Sequence, residues 1–257
     1  MSTGIPYLDR SWNPIAMRCT PAGEGCARCW HLAMAARLAA NPRIPADQRA
    51  AYAGKAPPLL VESRLRQPLG WKAPQHVGVE YMGDWCHEAI GWEGFLALMQ
   101  TMRLATQHTY YTLTKRPAML SERLARFWGD WPESPRRVNY PHLWLGVSVW
   151  NQSSANLLIP QLLAIGWPRS WVSIEPLLAP LVLRPDWLER LGWVVIGAES
   201  GAGARDCDPV LVAALIDQCV PQVPVYYKQG LNDRGDWEHM PTFCGRVWDQ
   251  MPERSEA

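Results

Sequence analysis

From residue 58 onward, short apolar or β-branched runs alternate with stretches whose hydrophobic positions recur at helical spacing. The runs are Pro58–Glu62, His76–Met82, Thr109–Thr114, Leu143–Val149, Trp171–Glu175, Trp193–Gly197 and Val223–Tyr227. Between most of them lie Glu93–Gln107, Ala118–Trp128, Ser153–Ile165 and Pro209–Cys219. In Glu93–Gln107 the side chains of Phe95, Leu96, Leu98, Met99, Met102 and Leu104 supply a wide apolar face, the mark of a helix packed on a sheet. Continuous apolar strands separated by helices imply a parallel sheet buried on both sides. This many units with no two-residue hairpin signal predicts an α/β fold, a closed or partial (β/α) barrel, with a doubly wound open sheet as second choice. No internal repeat is evident and no linker splits the chain, so residues 1–257 read as a single domain.

Ahead of this alternation the pattern is different. Ser11-Trp12-Asn13-Pro14-Ile15 predicts a short first strand that leads into a loop carrying Cys19, Cys26 and Cys29 in the spacing C-x6-C-x2-C. Pro14, Pro21, Gly23 and Gly25 let that loop wrap around something compact, and a helix-forming run from Ala27 to Ala40 follows at once. A helix beginning there would put Cys26 and Cys29 on one face, since i and i+3 are neighbours. The segment Trp12–Ala40 is therefore the candidate metal loop. Asn41–Pro58, rich in proline, alanine and charge, reads as a connector or flap.

Thiolate clusters of this kind hold soft metals or iron–sulfur clusters. His31 lies two residues past Cys29, so a closed zinc site on Cys19, Cys26, Cys29 and His31 competes with an iron–sulfur cluster. Structural zinc usually staples domains too small to build a core, and this chain has ample core without it. Three thiolates also leave one iron of a four-iron cluster without a protein ligand, open to substrate.

The strand ends carry the second signal. Gly83-Asp84 follows one run and Lys115-Arg116-Pro117 another; Ser148, Glu175-Pro176, Gly197-Ala198-Glu199 and Lys228-Gln229 close the others. In a parallel barrel these ends share one mouth, where such folds keep their chemistry. Any single polar residue after a strand is as readily a cap or turn former; six in succession are harder to dismiss. Glu175, Lys115 and the nearby thiol of Cys86 are the candidates for catalysis, Cys86 being as readily a packing group. Gly83, Asp84, Ser148, Gly197, Glu199 and Trp30 are the candidates to hold a cofactor.

Bulk properties narrow this further. A net charge of +1 gives no strongly basic face for nucleic acid. Fifteen tryptophans against three phenylalanines are unusual: most would fill core, and some could stack a flat ring. Seven cysteines, an odd number, with no secretion signal and no membrane-length apolar run, predict a cytoplasmic protein using thiols for metal or redox chemistry rather than disulfides. No serine-nucleophile or dinucleotide fingerprint is present.

The stretch Ser11-Trp-Asn-Pro-Ile…Cys19-Thr-Pro…Gly25-Cys26-Ala-Arg-Cys29-Trp30 resembles the signature of a phage and bacterial three-cysteine-motif protein family regarded as radical SAM-like. Leu113-Thr-Lys-Arg-Pro117, Trp144-Leu-Gly-Val-Ser-Val149, Ser173-Ile-Glu-Pro-Leu177, Val195-Ile-Gly-Ala-Glu-Ser-Gly201 and Tyr227-Lys-Gln229 are similar to its recurring blocks. The resemblance implies a [4Fe-4S] cluster on the three cysteines, S-adenosylmethionine (SAM) on its open iron, an external one-electron reductant, and a 5′-deoxyadenosyl radical that abstracts a substrate hydrogen. It further implies a partial (β/α) barrel, with Gly83-Asp84 where a Gly-Gly-Glu-like turn holds the methionine amino group and Gly197–Glu199 bordering the adenine. Two features depart from the radical SAM pattern: the cysteine spacing, and Arg28 in place of an aromatic, a role Trp30 could take. At family level the resemblance extends to rearrangement chemistry in hypermodification of thymine-derived bases of phage DNA, which makes a modified pyrimidine nucleotide or DNA base the expected substrate. The competing expectations are a zinc-stapled nucleic-acid adaptor without catalysis and a carboxylate nuclease or glycosylase.

Overall fold

The computed structural model describes residues 4–129, 140–201 and 203–252. It is an α/β protein with mostly parallel strands, as the alternating pattern predicts, and it divides into two compact units: Arg10–Leu143, and Met1–Asp9 with Trp144–Ala257.

In the first unit Arg10–Trp12 pairs in parallel with His76–Val79, which pairs in parallel with Thr109–Thr114. Each of the last two strands is followed by a helix, Trp92–Leu104 and Pro117–Gly129. Trp92–Leu104 buries Phe95, Leu98, Met99 and Met102, whereas Leu104 is exposed and Leu96 half-buried, so the apolar face is narrower than predicted. The run Pro58–Glu62 forms only the two-residue strand Leu59–Leu60, antiparallel to Ile15–Ala16 and apart from the parallel strands, because a helical turn begins at Glu62. The run His76–Met82 stops at Val79: Glu80 has φ of 53°, which breaks extended backbone. The connector contains the helix Ala46–Tyr52, whose Ala51 and Tyr52 pack with Ala16, Ala35 and Val61, so it is a fixed part of the core.

The second unit has Leu143–Val149, Ser170–Ile174, Trp193–Gly197 and Val225–Leu231 paired in parallel in that order. The first three are buried at every residue, which is why they read as unbroken apolar runs. The helix Gln152–Ala164 starts on a capping box between Asn151 and Ser154, and Asp208 caps Pro209–Cys219 through the Val210 amide. Tyr7 wedges its ring against Trp193 and Tyr226, with centroids 5.1 and 5.5 Å away. Beyond the parallel strands, Trp237–His239 adds antiparallel to Val225–Leu231, and Thr242–Phe243 pairs with Arg246–Val247. The sequence pattern assigned no element there, because these strands are short and mostly exposed and lack alternation.

Tryptophans 12, 85, 171 and 193 are fully buried core groups, whereas Trp30 and Trp237 are exposed. No helix among the described residues is long and apolar enough to cross a membrane.

Gly192 tests the packing of the second unit. A Cβ there would lie 2.8 and 2.9 Å from the Cζ3 and Cη2 atoms of the Trp144 ring. Gly192→Ala is expected to lower unfolding free energy by about 1–3 kcal/mol through overpacking, measured by urea denaturation; an unchanged midpoint would show that the ring has room to move.

Candidate functional site

The cysteine loop hangs between two fixed points of the first unit. On one side, Met17 is buried just past the strand Ile15–Ala16; on the other, Cys29 is the N-cap residue of the helix Trp30–Ala40. The helix thus starts later than the alanine-rich run suggested. Cys26 lies in a separate 3-10 turn, Glu24–Cys26, so the two sulfurs do not share a helix face. Cys26 instead connects to Cys29 through a backbone bond from the Cys29 N–H to the Cys26 carbonyl, 3.1 Å. All three thiols are free; Cys26 is buried, and Cys19 and Cys29 are half-buried.

A set of side chains pins this loop. The Cys19 N–H donates to Nε2 of His31 at 3.1 Å, so His31 serves the loop backbone. Burial and the charge of Arg18 lower its pKa to about 4, leaving a neutral imidazole that accepts. The Thr20 hydroxyl lies 2.8 Å from Nε2 of His87, whose Nδ1 accepts from the Ala89 N–H. Arg116 donates from Nη2 to both the carbonyl and the hydroxyl oxygen of Thr20, each at 3.1 Å, from Nη1 to Asp84 at 3.0 Å, and from Nε to Glu88 at 2.8 Å.

Asp84 stands at the centre. Its Oδ1 accepts from the Thr114 hydroxyl at 2.7 Å and the Cys86 N–H at 3.0 Å, and its Oδ2 from the Lys115 N–H at 3.1 Å and from Arg116. Asp84 therefore ties the loop to two strand ends, and its lone pairs are used by the protein itself. Gly83 is needed for packing: a Cβ there would meet Met17 Sδ at 2.8 Å. Cys86 is enclosed, with burial and the charge of Asp84 holding its thiol well above its ordinary pKa, so it fills space as a neutral group. Lys115 contributes its amide to Asp84 and its charge to Cys29, whose pKa it lowers against the raising effect of burial. Trp30 is exposed beside Cys29, edge-on to His31.

The electrostatics of the thiols follow from this enclosure. Burial, then Asp84, push Cys19 up to about 12, with smaller upward contributions from Cys26 and Cys29 and with Arg116 opposing. Burial thus disfavours the thiolate forms of Cys19 and Cys29 unless a cation lies beside them. A positively charged metal centre would supply that charge and bind the thiolate forms. Among the described residues no three His, Cys, Asp or Glu side chains converge as ligands of a single ion.

The second unit holds its own set of strand-end groups. Ser148 donates its hydroxyl to the Glu175 carbonyl at 3.2 Å. Glu175 Oε1 accepts from Lys228 Nζ at 2.6 Å and from Gln229 Nε2 at 3.2 Å, and Gly197 leaves room for the carboxylate, since a Cβ would come within 3.3 Å of its carbons. Glu199 is bound at both oxygens by Arg205, at 2.6 Å to Nη2 and 2.9 Å to Nε, which closes its glycine-rich turn.

A family model described as "Protein of unknown function (DUF5131)" matches residues 2–252. The chain belongs to that family. No curated protein and no solved structure matches it significantly.

Sequence reasoning gave no role to Thr20, His87 and Glu80, and named Arg116 and Gln229 only as members of strand-end groups. The signal for Glu80 was available: a carboxylate inside an apolar run. It is fully buried, accepts from the Ile15 N–H at 2.6 Å through Oε1, and among the described residues Oε2 has no partner. Burial raises its pKa from 4.5 to about 8. A carboxyl raised in the folded state binds more protons there than when unfolded, so stability falls as pH rises from 4.5 through 8. Glu80→Gln stays neutral throughout; wild type is expected to lose on the order of 4 kcal/mol relative to it between pH 4 and pH 9, measured by urea denaturation at both pH values. A constant difference would mean that Glu80 is ionised at neutral pH.

Proposed function

We propose that the chain is a radical SAM enzyme, in which Cys19, Cys26 and Cys29 hold a [4Fe-4S] cluster with one iron open to SAM. The observation that carries this is a short loop with three free thiols, one buried and two half-buried, beside a histidine whose Nε2 accepts from the Cys19 backbone amide. The donor set fits a cluster. Each thiolate would take a different iron, so the sulfurs need not meet at one point, and the charge of the metal would offset the burial that holds Cys19 and Cys29 protonated. A zinc site using Nε2 of His31 would first have to break the bond to Cys19. When bound, the cluster supplies the electron for reductive cleavage of SAM, itself refilled by an external one-electron reductant.

The chain's own residues set the stage for this. Arg116 and His87 orient Thr20 and thereby Cys19; Asp84 holds Arg116; Lys115 favours the thiolate of Cys29. Trp30 offers an exposed ring beside the loop. Asp84 acts by fixing the loop, and the methionine end of SAM needs another partner. Ser148 fixes the backbone at Glu175, and in this reading Glu175 is the strand-end carboxylate that meets substrate. A partial (β/α) barrel is the fold this reading requires, and the substrate it favours is a thymine-derived pyrimidine, as nucleotide or DNA base, in a cytoplasmic rearrangement reaction.

Anaerobic reconstitution of the full chain is expected to give about four irons and four sulfides per chain. Cys19→Ala, Cys26→Ala and Cys29→Ala should each lose them, while Cys244→Ala keeps them. A preparation holding only zinc, or full iron in Cys26→Ala, would contradict the proposal.

A further inference from the structure

The ion pair of Glu175 and Lys228 is mostly enclosed, with side-chain exposures of 22% and 11%. An enclosed pair of this kind seldom repays its desolvation, so the fold gains little from it. The bonding around it is also incomplete. Glu175 Oε1 takes both donors, from Lys228 and Gln229, and among the described residues Oε2 has none. Gln229 is buried, spends its Nε2 on Glu175 and the Ala198 carbonyl, and has no partner for its Oε1 among the described residues. Among the described residues Lys228 Nζ has one acceptor for three hydrogens.

Glu175 and Gly197 lie at the C-terminal ends of neighbouring parallel strands, and Lys228 and Gln229, inside the longer strand Val225–Leu231, are level with them. Glu175 follows Ser170–Ile174, Gly197 ends Trp193–Gly197, and Gln229 is in register with Gly197. Parallel sheets bind ligands at that end. Gly197 keeps a side chain off the carboxylate there.

We infer that Glu175, Lys228 and Gln229 form a recognition site for the lactam edge of a planar ring, an N–H beside a C=O. The pair is neutral as a whole, so an anion meets the Glu175 charge and a cation the Lys228 charge. A neutral ligand offering one donor and one acceptor side by side meets neither repulsion: its N–H donates to Glu175 Oε2 and its carbonyl accepts from Lys228 Nζ. Open-chain secondary amides are trans and present these groups on opposite sides, whereas a ring lactam must present them on one edge. The imide edge of thymine or uracil has this form. The inference rests on the proposed function for the idea that this face meets substrate, and it specifies which atoms read the ring.

Calorimetric titration of the full chain, aerobic and without a cluster, separates the two. Thymidine is expected to bind, and N3-methylthymidine, which lacks the donor, to bind at least roughly ten-fold more weakly, the discrimination one paired donor–acceptor contact gives. Glu175→Ala, checked for folding by its melting curve, should bring thymidine down to the N3-methyl level. Equal binding of the two nucleosides to wild type, or binding of neither, would overturn the inference whether or not the variant folds. Such a result would leave cluster assembly untouched, and a failed reconstitution would likewise leave this titration readable.

Discussion

The arrangement of the cysteine loop depends on one carboxylate. Asp84 accepts four hydrogen bonds, and one of them comes from the Arg116 guanidinium that also grips Thr20, the residue after Cys19. A buried carboxylate is tolerable only when its oxygens are met by donors, and a charge-assisted bond to arginine is among the strongest. Removing one partner of such a pair typically costs about 3–5 kcal/mol, because the remaining charge is left enclosed. The loop itself has little apolar area with which to hold its shape: it is glycine- and proline-rich, and most of its residues from Arg18 to Glu24 are exposed. Its position is therefore set by a polar bracket between elements far apart in sequence.

That bracket explains what could and could not be read from the chain. Three strands, Thr109–Thr114, Leu143–Val149 and Trp193–Gly197, and the helix Pro209–Cys219 have the predicted limits, since burial on both faces or along one stripe leaves a direct trace in the apolar pattern. The helix after Cys29 was placed too early because an alanine-rich run carries no boundary of its own, and no Ser, Thr, Asp or Asn marks the start. Pairings across long separations leave no such trace. In Thr114-Lys115-Arg116-Pro117 both cations follow the strand, yet Lys115 lends Asp84 only its amide while Arg116 spans ninety-six positions back to Thr20. Which of two adjacent cations does this depends on side-chain direction, and linear spacing is silent on it. Glu199 was chosen for its glycine-rich turn; the partner that occupies it, Arg205, sits in that same turn.

The two sets of polar groups differ in chemical character. Around the cysteines, burial and Asp84 hold the Cys19 thiol protonated and burial does the same at Cys29, with Arg116 and Lys115 only opposing, so a set of thiolates there needs the charge of a metal. Around Glu175 the charges cancel and the unused hydrogen-bonding capacity remains, which suits a neutral polar ring. A radical enzyme needs both properties: a site that generates a reactive species and a site that holds a substrate by its edge. The family match covers nearly the whole chain, so both sets lie within the segment that defines it.

The central claim is that the trio of thiolates leaves one iron open. The EPR spectrum of the dithionite-reduced, reconstituted chain, recorded with and without SAM, addresses that iron directly. A cluster with an open iron predicts a signal whose g values move when SAM is added. A [4Fe-4S] signal that SAM leaves unchanged, or no iron–sulfur signal at all, would contradict it.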